Sequence, residues 1–240
     1  MKIDLLAFGA HPDDAELGAA GTLIRAAGSG SRTGVVTLTR GEMGTRGDAA
    51  SRAAEFDAAA AAMGLAHHAM LDLPDGGLVC DAASREAVVR ELRALRPSVV
   101  LAPYWEDRHP DHAAASRIVQ EAVFLAGLAR LDTGQEPHRP GEIAFYMAAW
   151  EFEPSFVADI SAQFAQKQAV LRCYASQVYD PDRRSDGPGT YISSEHYREL
   201  LIARAAHYGR LISKAYGEPF RIRRLVEVSD LVAAFGGRTW

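Results

Sequence analysis

The segment Ile3-Asp4-Leu5-Leu6-Ala7-Phe8-Gly9-Ala10-His11-Pro12-Asp13-Asp14-Ala15-Glu16 begins near the start of the chain and decides its architecture. The apolar run over residues 3–8 predicts a buried β-strand. The turn that follows carries a histidine and two adjacent carboxylates. A helical pattern then begins near Glu16 and ends at Gly28 and Gly30. A strand that leads through a short turn into a helix is typical of a parallel α/β sheet.

The rest of the chain continues this alternation without an internal repeat. We therefore expect a single α/β domain over residues 1–240, with a Rossmann-like, mostly parallel sheet and helices on both faces. Ligands of such a sheet bind beyond the carboxyl ends of its strands. Further strands are predicted over residues 34–39, 69–73, 98–103, 142–151, 155–160 and 221–228, and further helices over 49–63, 82–95, 111–128, 162–174 and 196–216.

Charge and hydropathy exclude several function classes. The 26 basic and 31 acidic residues are spread along the whole chain, so no nucleic-acid footprint or polybasic membrane patch is expected. This charge balance favours small molecules as partners. Apolar runs are too short for a membrane span and the start lacks a signal-peptide pattern, which predicts a cytoplasmic protein. The first turn lacks G-x-G-x-x-G, and its paired carboxylates would repel a pyrophosphate, so a nicotinamide or flavin cofactor is not expected.

A second turn of the same kind, Arg108 to His112, follows the apolar residues 99–103. Each turn alone is typical of helix capping, but two His-Pro-Asp turns after two strands of one sheet favour a metal site. Imidazole and carboxylate ligands suit a catalytic zinc ion with three protein ligands and an open position. The carboxylate and the histidine left over would be free for proton transfer. The predicted ligands are His11, one of Asp13 and Asp14, and one of His109 and His112.

These two turns carry a resemblance to a known family. AHPDDAE over residues 10–16 and HPDH over residues 109–112 resemble the signatures of the PIG-L/LmbE-like de-N-acetylases, zinc enzymes that remove acetyl groups from substrates containing N-acetylglucosamine. The likeness extends through residues 37–55, 71–76 and 214–220 and so spans most of the chain. Within the family, the chain most resembles the bacillithiol-pathway deacetylases, which act on N-acetylglucosaminyl malate.

The resemblance implies a role for each residue of the two turns. Asp13 is expected to be the general base, and His109 to stabilise the oxyanion or donate a proton. Asp111 is expected to orient His109. The same ligands accept Fe²⁺ or Co²⁺, and family members suggest a homo-oligomer, with a hexamer as one form. The implied zinc ligands are His11, Asp14 and His112.

Substrate contacts are predicted around these turns. The resemblance suggests that Arg52 grips a sugar hydroxyl or the acetate product, with a solvated ion pair to Glu55 as the alternative. Glu42 is placed in the glycine-rich loop over residues 40–47, together with Met43 and Arg46.

Residues that contact the malate group, and a lid over the site, are predicted farther along the chain. Arg108, Arg183 and Arg184 are candidate partners for the malate carboxylates, although each could also be an ordinary surface charge. The long Asp-, Gly- and Pro-rich loop over residues 177–190 is a candidate lid, and Tyr191 beyond it is a candidate movable hydroxyl.

Two alternative functions remain open. A zinc amidohydrolase could act on another N-acetylated amino sugar or on a conjugated xenobiotic. A non-catalytic, metal-dependent sugar-binding module would keep the ligands but would need neither Asp13 nor His109 in its site.

Overall fold

The computed structural model of the protein describes residues 2–182 and 188–236. Within these ranges one seven-stranded sheet is flanked by helices on both faces. The strands are β1 (Leu5–Gly9), β2 (Thr33–Thr37), β3 (His67–Met70), β4 (Val99–Pro103), β5 (Glu142–Tyr146), β6 (Phe156–Asp159) and β7 (Gly217–Arg221). The helices are α1 (Asp14–Gly28), α2 (Ala49–Met63), α3 (Ala82–Leu95), α4 (Pro110–Ala126), α5 (Phe164–Cys173), α6 (Glu195–Leu211) and α7 (Leu231–Phe235).

The strand order is β3-β2-β1-β4-β5-β7-β6. The first five strands of this order are parallel, and β7 runs antiparallel to both of its neighbours. The expected mostly parallel α/β fold is therefore confirmed. The chain moves outward from β1 to β3 and then returns to place β4 on the other side of β1, so a topological switch point lies between β1 and β4. Both His-Pro-Asp turns follow these two strands.

Local caps explain why α2 and α3 have the predicted bounds. The Asp48 side chain accepts a hydrogen bond from the Ser51 amide, and the Ser51 hydroxyl bonds back to the Asp48 backbone. Asp81 and Ser84 form the same capping box before α3. Gly64 ends α2 in a left-handed conformation that costs glycine little. These signals depend only on neighbouring residues.

The predicted bounds of the last long helix and the last strand are wrong. The strand expected over residues 221–228 is found earlier, at Gly217–Arg221, and α6 ends at Leu211 rather than continuing to residue 216. Pro219 conceals this strand in the sequence, because proline cannot donate to a sheet ladder. It is tolerated because β7 pairs with β5 only at Phe220 and Arg221, so Pro219 has no partner in β5; its partner is Val157 of β6.

Two buried clusters cover the two faces of the sheet. One is built around α1, α2 and α5 and includes Phe56 and Tyr174. The other is built around α3 and α4 and includes Val88 and Ile118. Among the described residues, no helix is both long enough and apolar enough to cross a membrane.

A buried ion pair, Lys167 with Glu218, forms hydrogen bonds to the backbone in the middle of α1. The Glu218 carboxylate accepts hydrogen bonds from the amides of Gly21 (2.9 Å) and Thr22 (2.8 Å), which an uninterrupted helix directs to carbonyls four residues earlier. The Lys167 ammonium donates to the Leu17 carbonyl (2.9 Å) and to Glu218 (2.6 Å). Residues far apart in the chain therefore complete the hydrogen bonding of α1.

Candidate active site

The first turn is held in a strained conformation at the carboxyl end of β1. Asp13 precedes α1 with φ 115°, a left-handed backbone conformation that is costly for a residue with a side chain. The His11 amide donates to Asp14 Oδ2 (2.9 Å), and Arg52 Nη2 donates to the Pro12 carbonyl (2.7 Å). Strain of this kind is concentrated at functional sites and persists only where the surroundings enforce it.

Two imidazoles converge on one carboxylate. His112 Nε2 lies 3.1 Å from Asp14 Oδ1, and His11 Nδ1 lies 3.5 Å from Asp14 Oδ2. His109 lies beside them, since one ring nitrogen from each of the three histidines can be chosen within 4.8 Å of the others. The second turn is thereby brought against the first across the β1–β4 boundary.

In each of the two converging imidazoles, the ring nitrogen that points away from Asp14 lies within hydrogen-bond distance of other carboxylates. His11 Nε2 lies 3.0 Å from Asp75 Oδ1 and 3.3 Å from Asp111 Oδ2. His112 Nδ1 lies 3.0 Å from Asp107 Oδ1. The nitrogen atoms left beside Asp14 can therefore bind a metal ion, because carboxylates that hold the other ring nitrogen fix the tautomer and orientation of metal-binding histidines. The donor set fits a zinc-type site.

Sequence reasoning assigned no role to Asp75 or Asp107. Asp75 also accepts a hydrogen bond from the Met43 amide (2.7 Å), and its own amide donates to Glu42 Oε1 (3.0 Å). Asp107 also accepts from the Ala149 amide (2.8 Å). Asp107 could have been suspected from the sequence, because it lies two residues before the HPDH turn. Asp75 lies in the Leu73-Pro74-Asp75 segment, which resembles the family but suggested no chemical role.

The expected pairing of the Asp111 carboxylate with His109 is wrong. That carboxylate accepts from the amides of Gly76 (2.7 Å) and Leu78 (3.2 Å) and contacts His11. His109 Nδ1 instead accepts a hydrogen bond from the Asp111 backbone amide (3.2 Å), because His109 is the N-cap of α4. Asp111 therefore supports His11 through its side chain and His109 through its backbone.

Burial and charge shift the pKa values of the cluster. Burial alone lowers the pKa of His11, but hydrogen bonds to Asp14 and Asp75 outweigh burial and raise the pKa to about 11. In the same way burial lowers the pKa of His112, and the charge of Asp14 with the hydrogen bond to Asp107 raises it to about 10. Burial raises the pKa of Asp13 to about 7, with Arg52 limiting the rise. A metal ion must displace the imidazole protons in order to bind.

The cluster lies at one end of a cavity of about 980 Å³. Of the predicted substrate contacts, Arg52, Arg108 and Tyr191 line this cavity, and the Arg108 guanidinium lies 5.0 Å from the Tyr191 ring centroid. Glu42 is not among the lining residues, and its Oε1 accepts a hydrogen bond from the Asp75 amide.

The alternative role considered for Arg52 is wrong. Arg52 is only 3% exposed, and its Nη2 lies 3.9 Å from Asp13 Oδ2. Glu55 instead accepts hydrogen bonds from the Ser176 amide and hydroxyl. The solvated pair of Arg52 with Glu55 is therefore not formed.

The candidate lid is described only at its ends. Gln177 and Thr190 both line the cavity, and Gln177 Nε2 donates to the Arg46 carbonyl (2.7 Å). Arg183 and Arg184 lie outside the described residues. Closure of this segment stays a prediction.

Known proteins are similar to this chain in sequence and in fold. Residues 6–123 match the family model PIG-L, GlcNAc-PI de-N-acetylase. A 1D-myo-inositol 2-acetamido-2-deoxy-alpha-D-glucopyranoside deacetylase from Nakamurella multipartita is 32% identical, with 72% of this chain and 79% of the relative covered. The chain belongs to the PIG-L family. The resemblance of the two turns is thus confirmed.

Two other similar proteins match over most of the chain. A diacetylchitobiose deacetylase from Thermococcus kodakarensis is 29% identical, with 88% of this chain and 79% of the relative covered. The crystal structure of a conserved protein from Thermus thermophilus superposes with a TM-score of 0.86 at 38% identity, covering 95% of this chain and 98% of that one. This PIG-L chain is an N-deacetylase, a hydrolase of amide bonds, as the sequence predicted.

Proposed function

We propose that this protein is a zinc-dependent deacetylase of N-acetylglucosamine conjugates. The observation that carries the proposal is the convergence of His11 and His112 on Asp14, with a second carboxylate behind each imidazole. Asp13 and His109 lie beside these three residues and line the same cavity. They supply the acid–base pair that amide hydrolysis needs and that a non-catalytic sugar-binding module does not.

The catalytic roles follow from these positions. His11, Asp14 and His112 would hold the zinc ion, which when bound lowers the pKa of a water molecule and polarises the acetyl carbonyl. Asp13 takes the proton of the attacking water, since its buried carboxylate faces the cavity beside Asp14.

The leaving amine needs a proton and the oxyanion needs a donor. His109 lines the cavity, and its Nδ1 accepts the Asp111 amide, so a proton on the imidazole is placed at Nε2. His109 Nε2 can therefore donate to the tetrahedral oxyanion or to the departing sugar nitrogen. Arg52 keeps the strained Asp13 turn in place through the Pro12 carbonyl and can contact the acetyl group.

The aglycone is the finer part of the proposal. N-acetylglucosaminyl malate, as in bacillithiol biosynthesis, stays the substrate predicted from sequence. Of its three predicted arginine partners, Arg108 is the one within the described residues, and its place in the cavity lining supports the prediction. The relatives' names mention an inositol conjugate and diacetylchitobiose instead. Another acetylated amino sugar or a conjugated xenobiotic is the competing substrate class.

A substrate panel tests the proposal. Purified zinc-loaded protein is incubated with N-acetylglucosaminyl malate, diacetylchitobiose, an N-acetylglucosaminyl inositol and free N-acetylglucosamine, and released acetate is measured. We expect turnover of at least one sugar and its loss in Asp13→Asn. Acetate release from none of these sugars, with zinc bound, would contradict the proposal.

Arg108→Gln reports on the malate carboxylates. If Arg108 binds malate, kcat/KM for that substrate falls by about ten- to a hundredfold, and free N-acetylglucosamine is affected much less. Arg139→Gln is the matched control, because Arg139 also stacks over an aromatic ring, Phe124 at 4.9 Å, but lies outside the cavity lining. Equal effects of Arg108→Gln on both substrates would remove Arg108 from malate recognition.

A further inference from the structure

Arg204 of α6 lines the cavity together with Arg108, the predicted malate partner. Arg204 is half-buried and belongs to neither His-Pro-Asp turn. Its Nη1 donates to the Ala148 carbonyl (2.7 Å), and within the described residues this is the one hydrogen bond of the side chain. Because a guanidinium has several N–H donors, the others are available to a ligand in the cavity.

The charge of Arg204 is not paired with a carboxylate of the described chain. Glu218 lies in the same region, but its carboxylate is used by Lys167 and by two amides of α1. Burial lowers the pKa of Lys167, Glu218 opposes this change, and the like charge of Arg204 lowers the pKa further. A partly buried cation without a counter-charge is costly, so this wall of the cavity favours an anionic ligand.

Two tyrosines connect Arg204 with Arg108. The Arg108 guanidinium lies 5.0 Å from the Tyr191 ring centroid, and the centroids of Tyr191 and Tyr197 are also 5.0 Å apart. Burial raises the pKa of Tyr197 to about 12, while the charge of Arg204 limits the rise and that of Asp13 adds to it. Both guanidiniums therefore belong to one wall, beside the residues proposed to perform the chemistry.

The other charged groups of the cavity leave these two arginines as the cations for an aglycone. Arg52 is held by the Pro12 carbonyl beside Asp13. Glu151 is the acidic residue on the same wall: burial and the charge of Glu151 raise the pKa of Tyr208, and the charge of Arg204 lowers it. Neither Arg204 nor Arg108 forms an ion pair with Glu151 within the part of the chain that the structure describes.

We propose that Arg204 and Arg108 bind a dicarboxylate aglycone, each guanidinium binding one of its two carboxylates. Arginine suits this role because its planar group donates two parallel hydrogen bonds to a carboxylate. An uncharged inositol or sugar aglycone would leave both guanidiniums without a counter-charge. The inference rests on the proposed deacetylase function, and it adds Arg204 as a residue that determines specificity for a malate-type substrate.

The test uses three N-acetylglucosaminides whose aglycones gain one carboxylate at each step. The aglycones are ethyl, 1-carboxyethyl and malyl. A charge-assisted contact is worth about ten- to a hundredfold in kcat/KM, so we expect two successive rises of at least about tenfold in acetate release. Ratios between substrates are compared within each variant, because a change at the Ala148 carbonyl would affect all three glycosides alike.

Three variants assign the two rises to residues. Arg204→Gln should abolish one rise and Arg108→Gln the other, because each guanidinium serves a different carboxylate. Arg204→Lys keeps the charge and should restore part of the rise that Arg204→Gln loses. Arg210→Gln is the matched control, since Arg210 is an exposed arginine of the same helix outside the cavity lining, and both rises should persist in this variant.

The outcomes separate this inference from the proposed function. If the ethyl glycoside is deacetylated but the malyl rise is absent, or if Arg204→Gln leaves both rises intact or removes the same rise as Arg108→Gln, the paired-arginine proposal is overturned and the deacetylase proposal stands. If the zinc-loaded protein deacetylates none of the glycosides, the deacetylase proposal fails. Calorimetry with malyl glucoside, which has no acetamide, then tests the arginines: binding weakened by Arg204→Gln and not by Arg210→Gln supports them, and equal or absent binding overturns them.

Discussion

Asp107→Asn should weaken zinc binding although Asp107 is not expected to touch the metal. Asp107 Oδ1 accepts from the His109 amide (2.9 Å) and lies 3.0 Å from His112 Nδ1, while Oδ2 accepts from the Ala149 amide (2.8 Å). An asparagine has one acceptor oxygen and one donor nitrogen. Whichever way the amide is turned, it faces at least one N–H donor with its own NH₂ group.

The size of the effect follows from burial. The Asp107 side chain is 1% exposed, so water cannot easily replace the lost contact. Removal of a carboxylate that orients a metal-binding histidine typically lowers metal affinity by about 10–100-fold, equivalent to about 1.4–2.7 kcal/mol. We expect Asp107→Asn to lie in this range, with zinc affinity measured by competition against a chromophoric chelator at about pH 7.

Asp57→Asn is the matched control for this experiment. Asp57 also pairs with a histidine, His68 at 2.9 Å, but the pair is exposed and lies outside the cavity lining. Zinc affinity should be unchanged in this variant. If Asp107→Asn bound zinc as tightly as the unmodified protein, the assignment of His112 as an oriented ligand would be wrong.

The other predictions concern the ligands, the base and the buried ion pair. His11→Ala and His112→Ala should each lose zinc and activity, because water does not replace a protein ligand; full zinc content by elemental analysis would remove that residue from the ligand set. Asp13→Asn should retain zinc while kcat falls by about 10²–10⁴, and a near-normal kcat would argue against the base role. Glu218→Gln should lower the free energy of unfolding by about 3–5 kcal/mol because the buried Lys167 charge loses its partner. Urea unfolding measures this loss, and a change below about 1 kcal/mol would contradict a supporting role for the pair.

The sequence predicts those parts of the fold that depend on near neighbours. The capping boxes at Asp48 and Asp81 define where α2 and α3 begin, and both helices have their predicted bounds. The sequence also places His11 and His109 after two strands, and the sheet order brings the two turns together. β7 was not predicted at its true position because it contains Pro219, and proline is rare within strands since it cannot donate to the sheet.

The supporting residues of the site depend on distant contacts. Asp75 meets His11 across 64 residues of chain, and Asp111 reaches the turn at Gly76. No local pattern contains such a pairing, since it results from the path of the chain over the sheet. The expected homo-oligomer and cytoplasmic location stay predictions.

The ion pair within α1 has a consequence for synthesis of the protein. All proposed metal ligands and acid–base groups are synthesised by residue 112, but Gly21 and Thr22 in α1 bond to Glu218, whose strand is synthesised well after that point. The N-terminal part of a chain is synthesised first, but a domain generally folds as a unit. We expect a nascent chain that ends before β7 to contain every reactive group. Its α1 would still lack the hydrogen bonds that Gly21 and Thr22 donate to Glu218. Synthesis of the last strand would then decide when the enzyme first becomes competent.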